Sequence, residues 1–132
     1  MTHKRYDITP VPKPRQTRAD KWKQRPPVMR YRAFADEVRL KLPTDIDFSN
    51  VAILFILPMP KSWSKKKKGK MGLTVHRQTP DIDNLCKALL DAYHKDDSGI
   101  YCLRAAKIWG YAGSIHITDI GPFNWTELLY GV

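Results

Sequence analysis

Apolar positions follow two rhythms along this chain, and the switches between them lay out its elements. Residues 4–10 (Lys-Arg-Tyr-Asp-Ile-Thr-Pro) alternate weakly, which predicts a short first strand. From Met29 to Leu42 the apolar positions Met29, Ala33, Phe34, Val38 and Leu42 recur at helical spacing, with Leu40 beside them. Arg30, Arg32, Asp36, Glu37 and Arg39 take the remaining surface, so the segment reads as a helix packed on a sheet and ended by Pro43. Asn50 to Pro60 is an unbroken apolar run rich in branched residues, the pattern of a central strand covered on both sides. Pro80 to Tyr93 is the clearest helix: Ile82, Leu85, Cys86, Leu89, Leu90 and Tyr93 form one apolar stripe. Pro80 suits its N-terminus, and Asp83 or Asp81 can cap the first turn.

Ile100 to Trp109 and Ser114 to Ile120 are again rich in branched and aromatic residues. The Gly110-Tyr-Ala-Gly113 linker between them predicts an antiparallel hairpin. The tail from Phe123 to Val132, with Phe123, Trp125, Leu128, Leu129 and Tyr130, is too apolar for a free end. It is expected to pack on the domain or on a second subunit. Together these elements predict an α+β fold, a small mixed sheet packed with two or three helices, in a single domain over residues 1–132.

Charge changes the picture. The chain of 132 residues carries 23 Lys and Arg against 13 Asp and Glu, a net charge of +10, which implies a polyanionic partner. A membrane-spanning role is disfavoured, because the longest apolar run, Val51 to Pro60, is far short of the roughly 20 residues a spanning helix needs. No N-terminal stretch has the apolar core of a signal peptide. Cys86 and Cys102 lack metal-site spacing and read as free thiols in a reducing cytosol.

The cations gather in two places. An extended, flexible arm of about residues 11–27 is broken by prolines and carries Lys13, Arg15, Arg18, Lys21, Lys23 and Arg25. A loop of about residues 61–79 holds Lys61, Lys65, Lys66, Lys67, Lys68, Lys70 and Arg77, with Trp63 alongside. Ser62 or Ser64 can cap a short helix bearing the lysines. Both segments are expected to contact phosphates, with Trp63 stacking on a base or packing. Lys107 and Arg104 are further candidates for reaching DNA.

Against this basic background, Pro80-Asp-Ile-Asp-Asn-Leu-Cys-Lys-Ala-Leu-Leu-Asp91 and the following Asp96-Asp97 concentrate carboxylates. A divalent cation that reverses the local sign is the simplest reason to place them together in a polyanion-binding protein. Asp83, Lys87 and Asp91 are spaced four apart and share one helical face, opposite the apolar stripe. Such a row is either a pair of surface ion pairs or a metal ligand with a lysine beside it to hold a phosphate, a water or a leaving oxygen. Carboxylates converging with a lysine suit Mg²⁺-assisted phosphodiester hydrolysis. His76 and His94 read as surface residues, since Mg²⁺ held by carboxylates needs no imidazole. His116 falls on the strand face opposite Ile115 and Ile117.

Pro80 to Ala92, followed by Asp96-Asp97-Ser98-Gly99-Ile100, resembles the signature of the RusA family of Holliday junction resolvases. The arm beginning Pro10-Val-Pro-Lys-Pro-Arg15 and the block Pro58-Met-Pro-Lys-Ser-Trp-Ser-Lys65 are similar to phage-type members. The resemblance implies a small homodimeric endonuclease, dependent on Mg²⁺ with Mn²⁺ as an alternative, acting on four-way DNA junctions in the cytoplasm of a bacterial host and encoded by a phage or prophage. It implies Asp81, Asp83 and Asp97 as essential carboxylates and metal ligands, Lys87 as the motif lysine, and Asp91 and Asp96 in supporting roles. Two departures stand out: a segment between Asp91 and Asp96 shorter than in bacterial-type members, and Gly99 where a polar residue commonly precedes the Ile. The competing class is a non-catalytic basic nucleic-acid-binding module in which the aspartates only cap a helix.

Overall fold

The structure, a computed structural model, describes residues 2–15, 25–93, 98–122 and 125–131. Its elements in chain order are β1 (Thr2–Tyr6), α1 (Pro26–Lys41), β2 (Asn50–Pro58), α2 (Lys65–Met71), α3 (Ile82–Tyr93), β3 (Cys102–Gly110), β4 (Ser114–Asp119) and α4 (Trp125–Tyr130). The architecture is the expected α+β one: a four-stranded mixed sheet, two long helices packed together on it, and two short ones.

The expected hairpin does not form. The strand order is β1-β4-β2-β3, so β2 lies between the two strands predicted to pair. β2 runs parallel to β3 and antiparallel to β4, and β1 closes the far side antiparallel to β4. A Gly-flanked linker specifies that the chain reverses, but it leaves the strands' partners undecided. Here the crossover through α2 and α3 returns the chain parallel to β2, which claims β3 first. Gly113 in that linker is required by close approach: a Cβ there would sit 2.7 Å from the Thr9 Cα.

The core lies between one face of the sheet and the helix pair. Val51, Ile53, Phe55 and Leu57 of β2 and Ile115 and Ile117 of β4 are buried against Phe34, Ala35 and Val38 of α1 and Leu85, Ala88 and Leu89 of α3. Period two on the strands and period 3.6 on the helices bring these side chains to one layer. Tyr93 ties the end of α3 to the loop before β2: its hydroxyl donates to the Pro43 carbonyl and accepts from the Ile46 amide at 3.1 Å. Contrary to expectation, β2 is fully covered on one face only. Ala52, Leu54 and Ile56 are half buried, and the first two line a cleft with His3, Arg104, Ala106, His116 and Thr118.

Other boundaries move for local reasons. α1 begins at Pro26, three residues before the predicted start, because proline is tolerated in the first helical turn, where its missing N–H has no intrahelical acceptor. α3 begins at Ile82 rather than Pro80, and the Thr79–Pro80 bond is cis. β1 occupies Thr2–Tyr6, displaced toward the N-terminus from the predicted residues 4–10. In the tail, the Leu129 and Tyr130 side chains of α4 are exposed rather than packed on the domain.

Candidate active site

The site is organised around the first turns of α3. The Asp81 carbonyl accepts from the Leu85 amide at 3.1 Å, so Asp81 occupies the position flanking the helix. Asp83 lies inside the first turn, two places beyond the cap position expected for it, and its Oδ1 accepts from the Asn84 amide at 3.0 Å. Ile82 and Leu85 turn inward, which leaves Asp81, Asp83, Asn84 and Lys87 at the surface. A carboxylate at this end of a helix is also favoured by the amide dipoles.

The approach to Asp81 is held from β3. The Lys107 ammonium donates to the Gln78 carbonyl and, at 2.7 Å, to the Pro80 carbonyl. The His76 amide donates to the Lys107 carbonyl at 3.0 Å, and Val75 bridges to Ile108. Lys107, expected as a DNA contact, is thus committed to the loop that delivers Asp81. His76, expected at the surface, is buried: its ring stacks on Trp109 with centroids 3.8 Å apart, and its Nδ1 accepts from the Gln78 amide at 3.3 Å. Burial, reinforced by the nearby Lys107 charge, holds its imidazole below the ordinary histidine range. Only its placement beside Trp109, a long-range contact, could have distinguished it from a surface residue.

The row on α3 is partly redistributed. Asp91 pairs with Lys13 of the arm rather than with Lys87, and that ammonium lies 5.9 Å from the Tyr31 ring centroid. Lys13 is therefore tied to protein, and Asp91 anchors the arm to α3. Among the described residues Lys87 makes no ion pair. Asp83, Lys87 and Asp91 border a cleft floored by Cys86, Leu90, Leu103 and Ala105. Burial, with Asp83 nearby, pushes the Cys86 thiol up to about 11, and both cysteines are free. A protonated, buried thiol is no metal ligand.

Asp96, Asp97, His94, Arg18, Lys21 and Lys23 lie outside the described residues. Among the described residues no group of three His, Cys, Asp or Glu side chains is placed to hold a metal ion. The donors the structure does place, two exposed carboxylates near each other in sequence at one helix end, fit a hard divalent cation that keeps several of its waters.

The basic loop forms α2, capped by Ser64, one of the two serines expected to serve, whose Oγ accepts from the Lys67 amide at 3.1 Å. Lys61, Lys65, Lys66, Lys67, Lys70 and Arg77 are exposed and Lys68 is half buried. Among the described residues none of the α2 lysines makes an ion pair. Trp63 packs on Trp109 with centroids 4.8 Å apart, and the Lys67 ammonium lies 4.2 Å from the Trp63 ring centroid. Trp63 is thus a packing residue that joins α2 to the Trp109–His76 stack. Arg15 and Arg104 are exposed, and Arg25 flanks the start of α1. No described helix is long and apolar enough to cross a membrane.

No curated protein matches the chain. The model of the endodeoxyribonuclease RusA family matches residues 7–118, a span that runs from the end of β1 through α3 and the whole of β3 into β4. The chain belongs to the RusA endodeoxyribonuclease family.

Proposed function

We propose that this protein is a Mg²⁺-dependent endonuclease that resolves four-way DNA junctions by paired phosphodiester hydrolysis, acting as a homodimer. The observation that carries this is the exposed Asp81–Asp83 pair at the head of α3, with Lys87 one turn further on and making no ion pair among the described residues, in an otherwise basic endodeoxyribonuclease-family chain. Family membership also weighs against the charge-only binding module.

In this reading Asp81 and Asp83 would hold the cation, with Asp97 as a third ligand and Asp96 in support. When bound, Mg²⁺ neutralises the scissile phosphate, with Mn²⁺ as an alternative, and lowers the cost of forming hydroxide from water. Lys87 holds a phosphate oxygen or the departing oxygen by its positive charge. Lys107 and the His76–Trp109 stack keep the Asp81 backbone in place, so the ligands need little reorganisation on binding. α2 and the arm supply sequence-independent phosphate contacts that orient the duplex arms.

The dimer follows from the chemistry: two symmetric nicks need two sites, and each chain supplies one. The half-buried face of Ala52, Leu54 and Ile56 and the exposed Leu129 and Tyr130 offer apolar surface for a second copy. The same resemblance supports action in a bacterial cytoplasm and an origin in a phage or prophage.

Cleavage of a synthetic four-way junction in Mg²⁺ tests the reading. Wild type should cut, while Asp83→Asn should bind the junction and cut slower by about two orders of magnitude or more, the scale of losing one charge-stabilising contact. Equal cleavage by both proteins sinks the proposal. Light scattering that shows only monomer, with or without junction DNA, removes its dimeric part.

A further inference from the structure

The arm does more than lie near α3. Lys13 is pinned between Asp91 of α3 and the Tyr31 ring of α1, and the Lys13 and Asp91 side chains are only 30% and 33% exposed. Two residues on, the Arg15 carbonyl accepts from an Arg25 guanidinium nitrogen at 2.8 Å, at the start of α1. Residues 13–15 are therefore held at both ends and, with Pro12, wall two adjoining clefts. One, of about 390 Å³, is lined by Pro12, Lys13, Thr79, Pro80, Asp81 and Asn84. The other, of about 350 Å³, is lined by Lys13, Pro14, Arg15, Asn84 and Lys87. They share Lys13 and Asn84.

Their chemistry is opposite. The first contains the Asp81 carboxylate. The second contains no carboxylate but three cations and a carboxamide. Lys13 is neutralised by Asp91, and among the described residues neither Arg15 nor Lys87 makes an ion pair. Without Lys13, Asp91 would stand four residues from Lys87 on the same helical face, well placed to take its charge. The Lys13–Asp91 pair thus has two effects. It sets the arm as a wall, and it leaves Lys87 available to the cleft.

We propose that the cleft of Arg15, Asn84 and Lys87 is a separate phosphate subsite beside the carboxylate pair, built by the Lys13–Asp91 latch. It takes a backbone phosphate neighbouring the scissile one. Arg15 contacts it through its planar fork and Asn84 through its amide donors, while Lys87, which also borders the cleft of Asp83, is a point charge shared with the scissile position. Lys13 and Asp91 act as positioning residues. The proposal rests on the nuclease reading only for the word scissile, since the subsite itself requires neither a metal nor a junction.

The test is binding of a fluorescent twelve-nucleotide single strand by the full-length protein in EDTA, across 50–200 mM salt. Arg15→Gln should weaken binding about tenfold and make the slope of log K against log salt shallower by about 0.7, one single-strand phosphate contact. Lys13→Gln should weaken it comparably without touching Arg15. The swap Lys13→Asp with Asp91→Lys should recover most of the loss, because it rebuilds the latch with reversed polarity. An unchanged slope in Arg15→Gln overturns the subsite, and a swap as weak as Lys13→Gln overturns the latch. Thermal melting of each variant separates these results from unfolding. Failure here leaves junction cleavage by wild type untouched, and failure of junction cleavage leaves this binding result untouched.

Discussion

The Lys107 ammonium on β3 donates to the Pro80 carbonyl at 2.7 Å, one residue before Asp81. A charged donor shared between the Pro80 and Gln78 carbonyls fixes the loop that enters α3. Lys107→Met should therefore cost about 1.5–3 kcal/mol in urea unfolding, the range for a hydrogen bond to a charged group. It should also weaken Mg²⁺ binding in calorimetric titration. A variant as stable as wild type, with unchanged metal affinity, would show that the clamp is idle.

His76 predicts an acid-sensitive fold. Burial keeps its imidazole below the ordinary histidine range, so the unfolded chain binds the proton more readily than the folded one. Its contribution is complete above about pH 6.5 and is lost as the pH falls through that value toward the depressed folded one. His116, lowered by burial and then by His3 and Arg5, acts in the same direction. The melting temperature should fall between pH 7 and pH 5, and His76→Phe should flatten part of that fall while retaining a ring against Trp109. An identical pH dependence in the variant would assign the effect elsewhere.

Two glycines should respond oppositely to alanine. At Gly113 the new Cβ meets the Thr9 backbone at 2.7 Å, so Gly113→Ala should destabilise by about 1–3 kcal/mol through overpacking. At Gly69, inside α2, nothing lies within 4 Å, and Gly69→Ala should stabilise by up to about 1 kcal/mol by raising helix propensity. Urea midpoints compare the two directly. A Gly113→Ala variant as stable as wild type contradicts the close approach.

Exposed lysines on α2, which make no ion pair among the described residues, should make DNA binding strongly salt-dependent. Affinity for a duplex is expected to fall steeply between about 50 and 200 mM salt, and Lys65→Gln with Lys66→Gln should reduce the log–log slope by about two. A flat salt response would remove α2 from the interface.

How much of this was legible depends on range. The surface row Asp83–Lys87–Asp91 on α3, the Ser64 cap of α2 and the buried stripe of Leu85 and Leu89 were readable, because helical geometry relates neighbours a few residues apart. The same local information misread partners. It joined β3 to β4 across a Gly-flanked turn, although β2 lies between them. It left His76 at the surface, although Trp109, 33 positions later, covers it.

The sequence by itself determined the α+β class, the family motif and the placing of carboxylates at the head of one amphipathic helix, all properties of short-range periodicity and residue type. The tertiary structure alone decided which charges are spent within the protein. Lys107 is taken by the Gln78 and Pro80 carbonyls, and Lys13 by Asp91 across 78 positions of chain, while Lys87 and Arg15 line a cleft and make no ion pair among the described residues. Pairing between distant residues depends on how sheet and helices pack, and no local pattern encodes that.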